Sequence, residues 1–206
     1  GYARSMNCLL VVAHPLPDSL CHHAARVAHE TLLAGGHGGT VTDLYAEEFS
    51  PALTTAQRRT YYQGPYDGTA VAEHIARLEA AEGLVLVFPT WWFGLPAMLK
   101  GWFDRVWAPG VAYDHAADLG AIQPRLHRLR QTLAVTSLGA PWWADRLVMG
   151  RPVRRQLKTA LLGTCAPACR LEMLSLYRAE AASPARVDTF VGQVRRTLVR
   201  WPGPAT

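Results

Sequence analysis

Several common site signatures are missing from this sequence. It has no GxGxxG, which disfavours a dinucleotide-binding Rossmann unit, and no GxxxxGK followed by Ser or Thr, which argues against a P-loop NTPase. No apolar run reaches membrane-spanning length and no signal peptide opens the chain, so the expectation is a cytoplasmic, reduced protein without membrane insertion. No block of like charge marks a disordered tail. No Lys/Arg run is interleaved with aromatics, so nucleic acid is not an expected partner. Cysteine is scarce. Cys165 and Cys169 are spaced CxxxC, but no second Cys/His pair completes a zinc set, so no metal is expected. Cys8 lies in an apolar run and reads as a buried hydrophobe.

What is present suits one well-packed domain: 206 residues, half of them hydrophobic and 18% charged. The expected domain spans 6–201, with Gly1 to Ser5 read as a scar ahead of a native Met6. The net charge of +5 favours an anionic small partner such as a phosphorylated cofactor, the alternative being a solvated basic surface.

Unbroken apolar runs at 8–13, 83–89, 132–138 and 169–177 predict strands buried on both faces, and the half-polar 40–45 predicts one nearer an edge. Helical spacing covers 19–36, 70–81, 96–107, 154–163 and 185–201. Alternation of the two predicts an α/β fold, a doubly wound parallel sheet of five strands with helices on both faces. Ligands of such sheets sit beyond the C-terminal strand ends. Connections 46–69 and 109–131 are long enough to cover such a site.

Three strand-end loops carry the candidate residues. After the first strand, His14, Asp18 and Ser19 surround a helix start, where free N–H groups suit a phosphate. His14 and Ser19 would add donors, while Asp18 should point away or cap. An ordinary N-cap is the plainer reading. After the third strand comes Pro89-Thr90-Trp91-Trp92-Phe93-Gly94, suited to stacking on a flat heterocycle. Trp102, Phe103 and Trp107, inside the next helix, read as core. After the fourth strand come Thr136, Ser137, Leu138, Gly139 and a second pair, Trp142–Trp143. His29 and His74 read as surface helix positions. Tyr61, Tyr62 and Tyr66 lie in a connection that could close over a partner subunit's site, against a plain surface loop.

FPTWWFGLPAMLKGWFDRV, AHPLPDSLCHHA, DLYAEEFSPALT and VTSLGAP together resemble the flavodoxin-like NAD(P)H:quinone oxidoreductases over nearly the whole chain. The resemblance implies a flavodoxin-like fold, a tightly bound flavin (FAD favoured, FMN the alternative) and NAD(P)H as co-substrate. It also implies a homodimer whose sites both subunits line, and a quinone or similar flat aromatic acceptor. Carried over by position, His14, Ser19, Leu20 and Cys21 would hold flavin phosphates. Pro89, Thr90, Trp91, Trp92 and Phe93 would contact the isoalloxazine, and Thr136, Ser137, Leu138 and Gly139 its pyrimidine side. Trp92, Phe93 and Trp143 are the candidate catalytic residues. Leu20-Cys21 replaces the family's Phe-Asn, and Leu138-Gly139 its glycine pair. APWWADRLVMG lacks its active-site Tyr and His, with Trp142 or Trp143 in the Tyr position. Alternatives are an electron-carrier flavoprotein, an accessory subunit of a potassium-efflux system, or a specialised redox enzyme of secondary metabolism.

Overall fold

The computed structural model describes residues 5–116 and 120–202. The reading of Gly1–Ser5 as a scar falls, apart from Ser5, outside the described residues. The elements are β1 (Asn7–Val12), α1 (Leu20–Ala34), β2 (Gly38–Asp43), α2 (Thr55–Thr60), α3 (Ala72–Ala80), β3 (Gly83–Pro89), α4 (Ala97–Val106), β4 (Tyr113–Asp114), β5 (Gln123–Pro124), β6 (Gln131–Leu138), α5 (Pro152–Arg155), α6 (Gly163–Cys165), β7 (Arg170–Tyr177) and α7 (Pro184–Val199). One parallel sheet has the order β2-β1-β3-β6-β7, and β4 and β5 form a small antiparallel hairpin. The doubly wound α/β architecture is as expected.

The apolar runs are unbroken because each central strand feeds two cores. Leu9 and Val11 of β1 join Leu84, Leu86, Leu99 and Trp102 on the face covered by α3 and α4. Cys8, Leu10 and Val12 join Ala28, Leu32, Val194 and Leu198 on the face covered by α1 and α7. Each fully buried aliphatic side chain contributes roughly 1.5–3 kcal/mol. Burial pushes the Cys8 thiol up to about 12, so it packs as a hydrophobe.

The run at 169–177 departs from expectation. As β7 it is an edge strand, and Leu176 is its one buried residue. The helix expected over 154–163 extends from Pro152 to Cys165 with a π-helical middle, Gln156–Leu162. His74, expected at the surface, is only 13% exposed and packs edge-on against Phe49 at 4.9 Å.

Among the described residues no hydrogen bond joins the connection 46–69 to 14–21, 90–94 or 136–139, and it packs along α4. Arg105 donates to Gln57 Oε1 at 3.0 Å and to the Ser50 carbonyl. A Cβ on Gly101 would stand 2.2 Å from the Pro51 carbonyl oxygen, so only glycine admits this approach. The Tyr61 and Tyr66 hydroxyls donate to the Asp104 and Arg105 carbonyls, which fixes both tyrosines at the C-terminal end of α4.

Candidate functional site

The chain leaves β1 for β2 on one side and returns to β3 on the other, so a switch point opens between the C-terminal ends of β1 and β3. Backbone bonds hold the three loops there side by side. Ala13 N–H donates to Val87 O at 3.0 Å, and Thr90 N–H to Ser137 O at 2.8 Å.

In the first loop Ser19 is the N-cap of α1, accepting from His22 N–H at 3.2 Å. The Asp43 carboxylate lies 2.8 Å from His22 Nε2 and fixes the ring proton there, so His22 Nδ1 accepts from the Ser19 hydroxyl at 3.0 Å. With the ring proton there, both functions of that hydroxyl are engaged inside the chain, and Ser19 caps α1. The spacing Ser-x-x-His was the signal for this network, and sequence reasoning missed it. The first-turn amides of Leu20 and Cys21 have no acceptor among the described residues. His14 Nδ1 accepts from Leu16 N–H at 3.0 Å, which leaves Nε2–H as an outward donor. Burial, and then the neighbouring His22, hold His14 below its ordinary pKa. Asp18 is exposed, as expected. The Cys21 thiol is raised to about 11 by burial, against a counteracting hydrogen bond from Ser137.

The second loop is a tight turn closed by two backbone bonds, Trp91 N–H to Gly94 O at 3.3 Å and Gly94 N–H to Trp91 O at 3.0 Å. Its central residues, Trp92 and Phe93, have φ of 53° and 55°. Such a turn normally takes Asn-Gly, because both central residues must be left-handed. Left-handed backbone at a non-glycine costs on the order of 1–3 kcal/mol per residue. The amides of Trp92 and Phe93 have no acceptor among the described residues, and the Trp92 side chain is 99% exposed. Trp91 meets the His14 ring edge-on at 6.3 Å, which ties this loop to the first. Thr90 is different. Its amide is bonded to Ser137, and its hydroxyl lies 2.7 Å from the Thr136 hydroxyl, where both residues are buried.

In the third loop Leu138 is buried and Gly139 exposed, and the Gly139 amide has no acceptor among the described residues. A Cβ on Gly139 would stand 3.0 Å from Glu180 Oε2. Trp142 and Trp143 follow on an exposed turn, without a ring contact to Trp91, Trp92 or Phe93. A π-helical turn, Ala144–Val148, leads to Arg151 at φ 54°. The Tyr177 hydroxyl donates to the buried Asp145 carboxylate at 2.7 Å and anchors this segment to β7. Arg151 went unremarked in the sequence, where nothing separates it from the other arginines.

Together the loops offer free backbone donors and a strained, aromatic turn at the C-terminal end of the sheet. That arrangement can grip a flat, polar-edged ligand and an attached phosphate. Among the described residues no group of three or more His, Cys, Asp or Glu side chains is placed to hold a metal ion.

A family model described as flavodoxin-like fold matches residues 6–198, and the chain belongs to that family. It is 37% identical over 111 residues to an uncharacterized NAD(P)H oxidoreductase, YcaK, of Escherichia coli (strain K12), a match covering 53% of this chain and 57% of that protein. It is 32% identical over 153 residues to NAD(P)H dehydrogenase (quinone) 1 of Rattus norvegicus, covering 65% of this chain and 54% of that protein. The chain thus spans about half the length of the curated relatives it matches. Among solved structures, Smu.1420 from Streptococcus mutans UA159 superposes with a TM-score of 0.81 at 26% identity, covering 95% of this chain and 100% of that chain. The NAD(P)H:quinone oxidoreductase from Methanothermobacter marburgensis superposes with a TM-score of 0.78 at 25% identity, covering 95% of this chain and 96% of that chain. No helix among the described residues is long and apolar enough to cross a membrane.

Proposed function

We propose that this family member is a flavin-dependent NAD(P)H oxidoreductase of the quinone-reductase type, built as one flavin-binding domain over residues 6–201. The observation that carries the reading is the Trp91–Gly94 turn, with two left-handed aromatic residues and two amides without acceptors at the switch point. Strain of this kind persists where it serves a ligand. The names of the relatives supply the reaction class: an NAD(P)H oxidoreductase and a quinone dehydrogenase.

The residues present fit a flavin. The Leu20 and Cys21 amides and His14 Nε2–H would hold its phosphates at the N-terminus of α1. The Trp92 and Phe93 amides would bond the polar edge of the ring system, with Trp91 and Phe93 beside its face. The Ser137–Gly139 backbone would face its pyrimidine side, where donors stabilise negative charge. Thr90 and Thr136, whose hydroxyls pair with each other, would set the spacing of the second and third loops. Pro89 positions the turn that follows it. When bound, the flavin supplies the hydride chemistry, accepting from NAD(P)H and passing electrons on. The protein binds, orients and excludes water, and needs no nucleophile or metal for that step.

FAD is the favoured form and FMN the alternative, with a quinone or other flat aromatic as acceptor. A homodimer completes the reading. Trp92, Trp142 and Trp143 stand exposed in the single chain, and a second copy would wall the site over them. Trp143 is the chain's own candidate for the acceptor side, in place of the missing Tyr. Cofactor release after denaturation, followed by chromatography, distinguishes FAD from FMN. Sedimentation of the native protein tests the dimer, and a monomer with full activity would contradict the shared site.

A further inference from the structure

The segment after the third loop carries four arginines, Arg146, Arg151, Arg154 and Arg155, and among the described residues none makes an ion pair within the 4.0 Å that defines one. Asp145, the carboxylate beside them, is buried and engaged by the Tyr177 hydroxyl. Arg146 is likewise committed, its Nε donating to Tyr177 at 3.3 Å. Arg151 is not. Its Nε is buried with no acceptor, and its terminal nitrogens have no protein acceptor among the described residues. Its backbone is left-handed, and the neighbouring Gly150 is left-handed too, at φ 67°. Burial, then repulsion by Arg146, holds the guanidinium below its ordinary pKa, a cost that an arriving anion would relieve. With Thr90, Thr136 and Leu138, Arg151 lines a recess of about 10 Å3, room for no more than a water. A ligand must therefore meet the guanidinium from the solvent side; Trp142, Trp143 and Met149, which precede Arg151 in the chain, are exposed.

We infer that Arg151 is a specificity-determining residue for an acidic substituent, a carboxylate or sulfonate, on the flat aromatic acceptor. A planar guanidinium with free donors matches such a group with two parallel hydrogen bonds. Trp142 and Trp143, exposed on the same segment, are the side chains that would be offered to the ring. The inference deepens the oxidoreductase reading and rests on it for the word acceptor, but binding itself does not need the flavin.

The test is calorimetric titration of the purified protein with 2-naphthalenesulfonate and with neutral 2-naphthol, repeated for Arg151→Gln and Arg151→Lys. The expected result is a preference of about tenfold for the sulfonate in the unaltered protein, lost in Arg151→Gln and partly kept in Arg151→Lys. Equal affinities for the two ligands, or a preference that survives Arg151→Gln, would overturn it. A second arm compares NADPH with NADH as reductants. If Arg151→Gln erases a preference for NADPH and leaves the sulfonate preference intact, the anion is the nicotinamide cofactor's extra phosphate and the acceptor assignment is wrong. Absence of bound flavin with the sulfonate preference intact would sink the oxidoreductase reading alone.

Discussion

Residues 88–107 hold seven aromatic side chains, and the structure divides them into two regions of opposite physics. In α4 and just after it, Trp102, Phe103 and Trp107 are at most 4% exposed and meet edge to face at 5.1–6.3 Å. In the turn before the helix, Trp91 and Trp92 face solvent on a strained backbone. The first group stabilises the fold by burying area, and the second costs stability to hold a shape. Aromatic density alone cannot separate them. The helical register and the Gly-Pro boundary do, because they decide which rings can reach the sheet.

The largest effect should come from breaking the buried side. Trp102→Ala is expected to cost about 3–5 kcal/mol, read by denaturant unfolding, as expected of a large aromatic truncated in a packed core. Gly101→Ala should follow closely, at about 3 kcal/mol, because its Cβ would collide with Pro51 backbone that Arg105 helps hold in place. The exposed side should respond in the opposite sense. Replacing Trp92-Phe93 with Asn-Gly should raise stability by about 1–3 kcal/mol by relieving two left-handed residues, while flavin affinity falls. A change that lowered both would mean that the turn is part of the core.

The smallest effect is electrostatic. Burial holds His14 and His74 below their ordinary pKa, so folding favours their neutral forms. Their contribution is complete above the unfolded value of about 6.5 and is lost as pH falls through the lower folded values. Stability should therefore decline on acidification below about 6.5. His74→Gln should flatten that decline, which unfolding curves at several pH values would show.

Much of this was legible beforehand. The 83–89 run matches β3 residue for residue, and the other four strands of the parallel sheet lie within two residues of expectation. For β1, β3 and β6 that is because burial on both faces writes itself as an unbroken apolar run, whereas the short β4–β5 hairpin was not anticipated. The edge position of 169–177 was not legible, since Leu and Met occupy buried and half-covered strands alike. The strand-end loops could be located by topology, but the use of their side chains could not. Ser19, Thr90 and Thr136 spend their hydroxyls on neighbours brought close only by the fold. The paired left-handed aromatics left no sequence signal, since the turn they form ordinarily announces itself with Asn or Gly.

The most direct test of the central claim is the visible absorption spectrum of the purified protein, followed by anaerobic addition of NADPH. The account predicts flavin absorption bands that bleach rapidly on mixing. A colourless protein that binds neither added FAD nor added FMN would contradict it, and the strained Trp91–Gly94 turn would then need another ligand to justify it.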